Sequence, residues 1–258
     1  MNAALPLQGL GVVITRPRTA AEALAAALER EGARAFVFPA LSIEPVDSSP
    51  ALEAALAGLE TSDLAIFVSA NAVELGLAAA RRRAPWPERA RVAGVGEATA
   101  QALRNSGFRE VISPTERHDS EGLLACRELQ AVDGRAVTIF RGAGGRELLR
   151  ETLERRGARV TYAECYKRVR PQTDPRPLLE AWSRGEIQAV SVLSAETLEN
   201  FVALLGEEAV PRLAAAALVV PHEAIGAHPL ARRFRRVLVA PPGPHGMPGA
   251  LVSLRMSS

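Results

Sequence analysis

Cysteine is nearly absent from this chain: Cys126 and Cys165 are its only two and lie far apart, which supplies neither a disulfide framework nor a metal-ligand spacing. That usage fits a reducing, cytoplasmic setting. Long hydrophobic runs are also missing. No apolar stretch approaches the roughly 20 residues a membrane-crossing helix needs, and no cationic region precedes the first apolar residues, so neither export signal nor membrane segment is expected. Charge of one sign is lacking: 31 Lys and Arg face 29 Asp and Glu, and a net charge of +2 gives no electrostatic ground for a nucleic-acid partner. Aromatic residues make up only 4%, with two tyrosines, and the four histidines are scattered, so no Ser/His/Asp or Cys/His constellation assembles. His222-Glu223 and His228 resemble a zinc helix only superficially. Six residues turn a helix by about 600°, which leaves the two imidazoles on different faces, and no metal is expected.

What is present is apolar core material, 48% of 258 residues, enough for one large or two ordinary domains. It is organised as a repeat. Residues 11–34 reappear at 136–159 without insertion: Arg16 meets Arg141, Glu22 meets Glu147, Leu28 meets Leu153, and Gly32-Ala33-Arg34 meets Gly157-Ala158-Arg159. The same spacing of 125 positions carries Ser69-Ala70 onto Ser194-Ala195, Glu74 onto Glu199 and the turn at Gly96 onto Pro221. Three ordered segments in one register argue for internal duplication.

Each copy reads as three strand–turn–helix steps, the pattern of a parallel, helix-covered sheet. Val12-Val13-Ile14 is a buried strand; Thr19, three residues before Glu22, has the spacing of a capping box; Gly32 stops the helix. Leu64–Val68 leads into a helix that Ser69 or Asn71 can cap, and Arg91–Gly96 leads into one ended by Gly107. The second copy offers Val137–Phe140, Ala189–Leu193 and Ala217–Val220 in the same places. Residues 39–50 and 166–177 are equivalent, proline-punctuated connectors. If both cross between lobes, the first strand and helix of each copy join the remainder of the other; two consecutive domains are the alternative. No coiled-coil or apolar stripe stands out, so a monomer is the default.

In an open parallel sheet, ligands bind beyond the carboxyl ends of the strands, where free amides and a partial positive charge at helix starts suit carboxylates or phosphates. Arg16 and Arg141, in equivalent turns, add two fork-shaped donors. Ser69, Asn71 and Ser194 serve as caps with or without a ligand. Gly94-Val95-Gly96-Glu97-Ala98-Thr99 lacks the third glycine of a dinucleotide loop, and Gly142-Ala143-Gly144-Gly145 lacks the Lys-Ser/Thr of a nucleotide P-loop, although close backbone approach to an anion is open to it. Tyr166, at the start of the second connector, is a candidate proton donor, because a phenol with a pKa of about 10 stays protonated at neutral pH. Arg81-Arg82-Arg83 reads as a solvated helix end.

Taken together, Ile14-Thr15-Arg16-Pro17, Phe67-Val68-Ser69-Ala70-Asn71-Ala72-Val73, Val95-Gly96-Glu97-Ala98-Thr99-Ala100, Tyr166-Lys167-Arg168 and Val220-Pro221-His222 give a chain that resembles the uroporphyrinogen-III synthases over nearly all of residues 9–252. The resemblance implies an α/β fold of two flavodoxin-like lobes with parallel sheets, a segment-exchanged internal repeat and two extended connectors around a deep cleft. Residues 1–41 and 170–258 would form one lobe, 46–165 the other, and 42–45 and 166–169 the connectors. It implies a hydro-lyase that closes hydroxymethylbilane, a linear tetrapyrrole polycarboxylate, with loss of water and inversion of the last ring, without cofactor. It leaves room for transient contact with the preceding pathway enzyme. Carried over by position, Tyr166 becomes the proton donor, and Ser69, Asn71, Gly96, Thr99, Ser194 and His222, together with Arg16 and Arg141, the substrate-binding set. Pro229 departs from the family pattern, and should break or kink the helix that carries His222. The competing readings are a non-catalytic two-lobed binder of an acidic metabolite and a flavodoxin-like enzyme using a nucleotide.

Overall fold

A computed structural model describes residues 5–241, 243 and 246–256. In chain order the elements are β1 (Gly11–Ile14), α1 (Arg18–Arg30), β2 (Arg34–Val37), β3 (Ser42–Pro45), α2 (Pro50–Gly58), β4 (Leu64–Phe67), α3 (Ala70–Arg83), β5 (Arg91–Gly94), α4 (Glu97–Asn105), β6 (Val111–Ile112) and α5 (Ser120–Ala125). There follow β7 (Ala136–Gly142), α6 (Leu148–Arg155), β8 (Arg159–Val169), α7 (Arg176–Ser183), β9 (Ala189–Ser191), α8 (Ala195–Leu205), β10 (Ala217–Val220), α9 (Glu223–Gly226), β11 (Arg236–Val239) and α10 (Gly246–Met256). Among the described residues, no helix is long and apolar enough to cross a membrane.

The strands form two sheets, in two compact units: residues up to Ser42 with those from Val169 onward, and Ile43–Arg168. The first sheet runs β2-β1-β9-β10-β11 and the second β8-β7-β4-β5-β6, with β3 beyond β8. The pairings among β1, β2, β9, β10 and β11, and those among β4 to β8, are parallel. Numbered by place in the repeat, with β7 and β8 as the first two strands of the second sheet, both sheets have the 2-1-3-4-5 order of flavodoxin-like folds, and the first strand–helix–strand of each copy lies in the sheet of the other. A spacing of 125 positions carries β1 to β7, β4 to β9, β5 to β10 and β6 to β11, so the duplication extends further than the sequence identities suggest.

Strand alternation divides each unit into two apolar layers. Val12 and Ile14 face one side of the first sheet and Val13 the other; Leu64 and Ile66 face one side of the second sheet and Ala65 and Phe67 the other. Parallel strands covered on both faces read as nearly continuous Val, Ile and Leu, which is why they were visible in the sequence.

Three local expectations change. Thr19 is not a cap: α1 begins at Arg18 with Pro17 as its N-cap and no side-chain cap bond, and Glu22 pairs with Arg18 at 3.6 Å. Pro17 fixes its own φ, placing Thr19 one residue inside the helix. The second copy of this helix, α6, starts only at Leu148, because Gly144 (φ 73°) and Gly145 (φ 111°) adopt left-handed conformations that a right-handed helix cannot contain. Tyr166 does not open a free connector. It lies within β8, whose eleven residues continue through it to Val169.

The helix after β10 is interrupted. α9 stops at Gly226, His228 adopts an extended ψ of 140° before Pro229, and a 3-10 turn follows over Pro229–Arg233. Proline lacks the N–H and clashes with the carbonyl one turn back, while its predecessor is pushed to extended geometry. His228 closes the gap: its Nδ1 accepts from Leu230 N at 3.3 Å and its Nε2 meets Glu199 Oε1 at 3.1 Å.

Candidate functional site

In the second unit, the carboxyl ends of β4, β7 and β8 bring together residues distant in sequence. Ser69 ends the strand–helix turn after β4 and caps α3, its Oγ accepting from Ala72 N at 3.1 Å. The Tyr166 hydroxyl reaches the same Oγ at 3.1 Å, with the tyrosine only 7% exposed. The phenol is thus buried, and its hydroxyl partner sits at the amide-rich start of a 14-residue helix. Asn71, one residue into α3, is exposed and is not the cap.

A cavity of about 170 Å³ opens beside this pair, lined by Tyr166, Arg141, Arg146, Arg168, Tyr162, Gly142, Gly144 and Gly145, among others. Arg141 is in β7 rather than in a turn, and it is buried. The expected free fork is engaged internally: Nη1 donates to Glu147 Oε1 at 3.0 Å, Nε to the Gly142 carbonyl at 3.3 Å, and Nη2 to the Gly144 carbonyl. The guanidinium also lies over the Tyr162 ring, 4.4 Å from its centroid. Tyr162 donates its hydroxyl to Glu147 Oε2 at 2.7 Å. Burial, aided by that carboxylate, pushes the Tyr162 phenol up to about 12, and the same bond together with Arg141 holds Glu147 below the usual carboxylate range. Burial likewise pushes the Cys165 thiol up to about 12, which makes it a poor nucleophile.

The turn after β5 places Gly96 at the N-cap of α4, while Thr99 is buried within the first turn, so its side chain contributes to packing more than to any surface. Strand and helix approach closely at Gly94: a Cβ there would lie 2.9 Å from Ala100 N.

In the first unit, Arg16 follows β1 and is half-buried, with Nε shielded from solvent and unpartnered; burial lowers its pKa from the usual arginine value. Thr15 beside it donates to the Ser191 carbonyl at 2.6 Å. Ser194 caps α8, accepting from Thr197 N at 3.1 Å. His222 is exposed and makes no side-chain cap bond to the four-residue α9. Among the described residues no three His, Cys, Asp or Glu side chains gather as a metal ion would need.

Sequence reasoning missed Tyr162, Glu147 and Arg146 as neighbours of the site. One signal was available: the chain's two tyrosines fall four residues apart in one segment, and Glu147 is the repeat partner of Glu22.

Two sheets whose parallel strands follow flavodoxin-like order, the second extended by β3, with an exchanged first step and a hydroxyl pair near the strand ends, define a duplicated α/β protein. The family model described as uroporphyrinogen-III synthase HemD matches residues 22–243. The chain belongs to the uroporphyrinogen-III synthase family. It is 34% identical over 197 residues to the uroporphyrinogen-III synthase of Escherichia coli (strain K12), covering 76% of this chain and 80% of that protein. Against the enzyme of Salmonella typhimurium the identity is 37% over the same shares. The crystal structure of uroporphyrinogen-III synthetase from Helicobacter pylori 26695 shares the fold, with a TM-score of 0.60 at 12% identity over 96% of this chain and 99% of that one.

Proposed function

We propose that the chain catalyses the dehydrating closure of hydroxymethylbilane to uroporphyrinogen III, inverting the last pyrrole, in tetrapyrrole biosynthesis. Family membership across residues 22–243 supports the reaction, and the observation that carries the mechanism is the Tyr166 hydroxyl held 3.1 Å from Ser69 Oγ beside an arginine-lined cavity.

In this reading Tyr166 donates its proton to the terminal hydroxyl of the bilane as the C–O bond breaks and water leaves. Ser69 already accepts one amide and orients the phenol through its own hydroxyl. The substrate's carboxylates are taken up at helix starts: by Ser69, Asn71, Gly96 and the backbone amide of Thr99 in the second unit, and by Arg16, Ser194 and His222 in the first. Backbone amides suit this task because they bind many carboxylates without demanding a strongly basic surface, in keeping with a net charge of +2. Selecting the inverted isomer is a matter of positioning, in which the last ring is presented through its substituted carbon. Two free cysteines, one of them buried, suit work in a reducing cytoplasm. A transient hand-over of the bilane from the preceding pathway enzyme belongs to the same proposal.

The test is to supply hydroxymethylbilane and resolve the uroporphyrinogen isomers. The expected result is the inverted isomer, formed faster than spontaneous closure. A binding protein without turnover would leave the non-inverted, spontaneous product unchanged, and that result would remove the enzymatic reading.

A further inference from the structure

The β7–β8 pairing breaks register at one point. Arg141 faces Glu164, but Gly142 faces Tyr166, so Cys165 is an extra residue on β8. Simple alternation would put Tyr166 on the side of Tyr162 and Glu164. With the bulge it packs instead in the apolar layer that holds Ala163 and Cys165. The direction of the Tyr166 hydroxyl toward Ser69 therefore depends on one irregular step.

That step is held from the Gly142–Gly145 loop. Ala143 N donates to the Tyr166 carbonyl at 2.7 Å, and Gly142 lies so close to the phenol ring that an added Cβ would come within 2.5 Å of Cε2. The loop has little internal support: two left-handed glycines and no regular hydrogen-bond ladder. Its carbonyls at Gly142 and Gly144 converge on the Arg141 guanidinium, which Glu147 and the Tyr162 ring hold in plane. A planar fork can serve three acceptors and a stacking ring at once, whereas an ammonium group cannot.

We infer that Arg141 is a positioning residue: its buried guanidinium pins the glycine loop, the loop fixes the bulge, and the bulge aims the Tyr166 hydroxyl at Ser69. The consequence for rate rests on Tyr166 being the proton donor; the consequence for Tyr166 geometry does not.

The chain's two tyrosines make the geometry directly observable. In full-length protein grown with 3-fluorotyrosine, ¹⁹F NMR gives one resonance each for Tyr162 and Tyr166, assigned with Tyr162→Phe and Tyr166→Phe. In Arg141→Lys the Tyr166 resonance is expected to shift or broaden. In unlabelled protein kcat should fall tenfold or more with KM within twofold, and adding Tyr166→Phe should cost little further. Glu147→Gln, a milder change at a half-exposed side chain, should move the Tyr166 resonance in the same direction by less, which guards against an Arg141→Lys chain that fails to fold. An unmoved Tyr166 resonance in both folded variants would overturn the inference. So would a raised KM at unchanged kcat and unmoved resonance, which would make Arg141 a substrate contact. A moved resonance at unchanged kcat would uphold the positioning role and remove Tyr166 from the chemistry.

Discussion

The two copies of the opening strand, turn and helix differ most just after their arginines. Following Arg16, Pro17 fixes the chain and α1 starts at once; Arg16 stays half-buried with an unpartnered Nε. Following Arg141, the equivalent of Pro17 is Gly142, the helix waits until Leu148, and the arginine is buried among internal acceptors. Sheet order survived duplication while the turns separated in task. One arginine keeps an unpartnered Nε, and the other, in our proposal, belongs to the scaffold that orients a neighbouring tyrosine.

Exchanging the turn residues should break this asymmetry unequally. Gly142→Ala drives a Cβ into the Tyr166 ring, and overpacking of this kind costs about 1–3 kcal/mol. It should lower the urea midpoint and reduce kcat by tenfold or more. Pro17→Ala, at the equivalent position, should cost only about 0.4–1 kcal/mol, chiefly through greater freedom of the unfolded chain, and leave kcat nearly unchanged. Equal losses at the two positions would contradict the division of tasks.

Arg16→Gln should act on binding. A hydrogen bond to a charged group contributes about 1.5–3 kcal/mol, so KM should rise roughly tenfold or more at little-changed kcat, and the Tyr166 ¹⁹F resonance should stay in place. A fall in kcat with a displaced resonance would put Arg16 in the scaffold instead.

The smallest expected effect is on stability against pH. Glu147 has a depressed folded pKa, so its contribution is present above the ordinary carboxylate pKa and is lost as pH falls through the folded value. Tyr162 has a raised one, so its contribution is complete below the usual phenol pKa and fades as pH rises toward about 12. The stability difference between wild type and Glu147→Gln, from urea unfolding, should therefore be largest near neutrality and shrink below pH about 4. A difference that grows on acidification would mean that Glu147 is not held as an anion by Arg141 and Tyr162.

Much of the fold was legible because it is written in local or periodic signals. Val12–Ile14 and Leu64–Val68 read as strands; Ser69 and Ser194 precede helices and cap them; the 125-residue spacing aligns both copies. Pro229 announced the break after Gly226. The Thr19–Glu22 spacing misled, because Pro17 decides where that helix begins. Identity between Glu22 and Glu147 concealed the late start of α6, since matching letters do not report the two left-handed glycines just before Glu147. The bulge at Cys165 was invisible for a deeper reason: register is a property of two paired strands, and nothing in either strand alone marks the extra residue. Arg141, Glu147 and Tyr162 form their network only once that pairing exists.

The most direct test of the account is the rate of bilane closure by Tyr166→Phe, measured with the variant's fold verified by its ¹⁹F spectrum. Removal of a general acid costs about 10²–10⁴-fold, so the rate should fall by at least two orders of magnitude with KM little changed. Full turnover by a correctly folded Tyr166→Phe protein would contradict it.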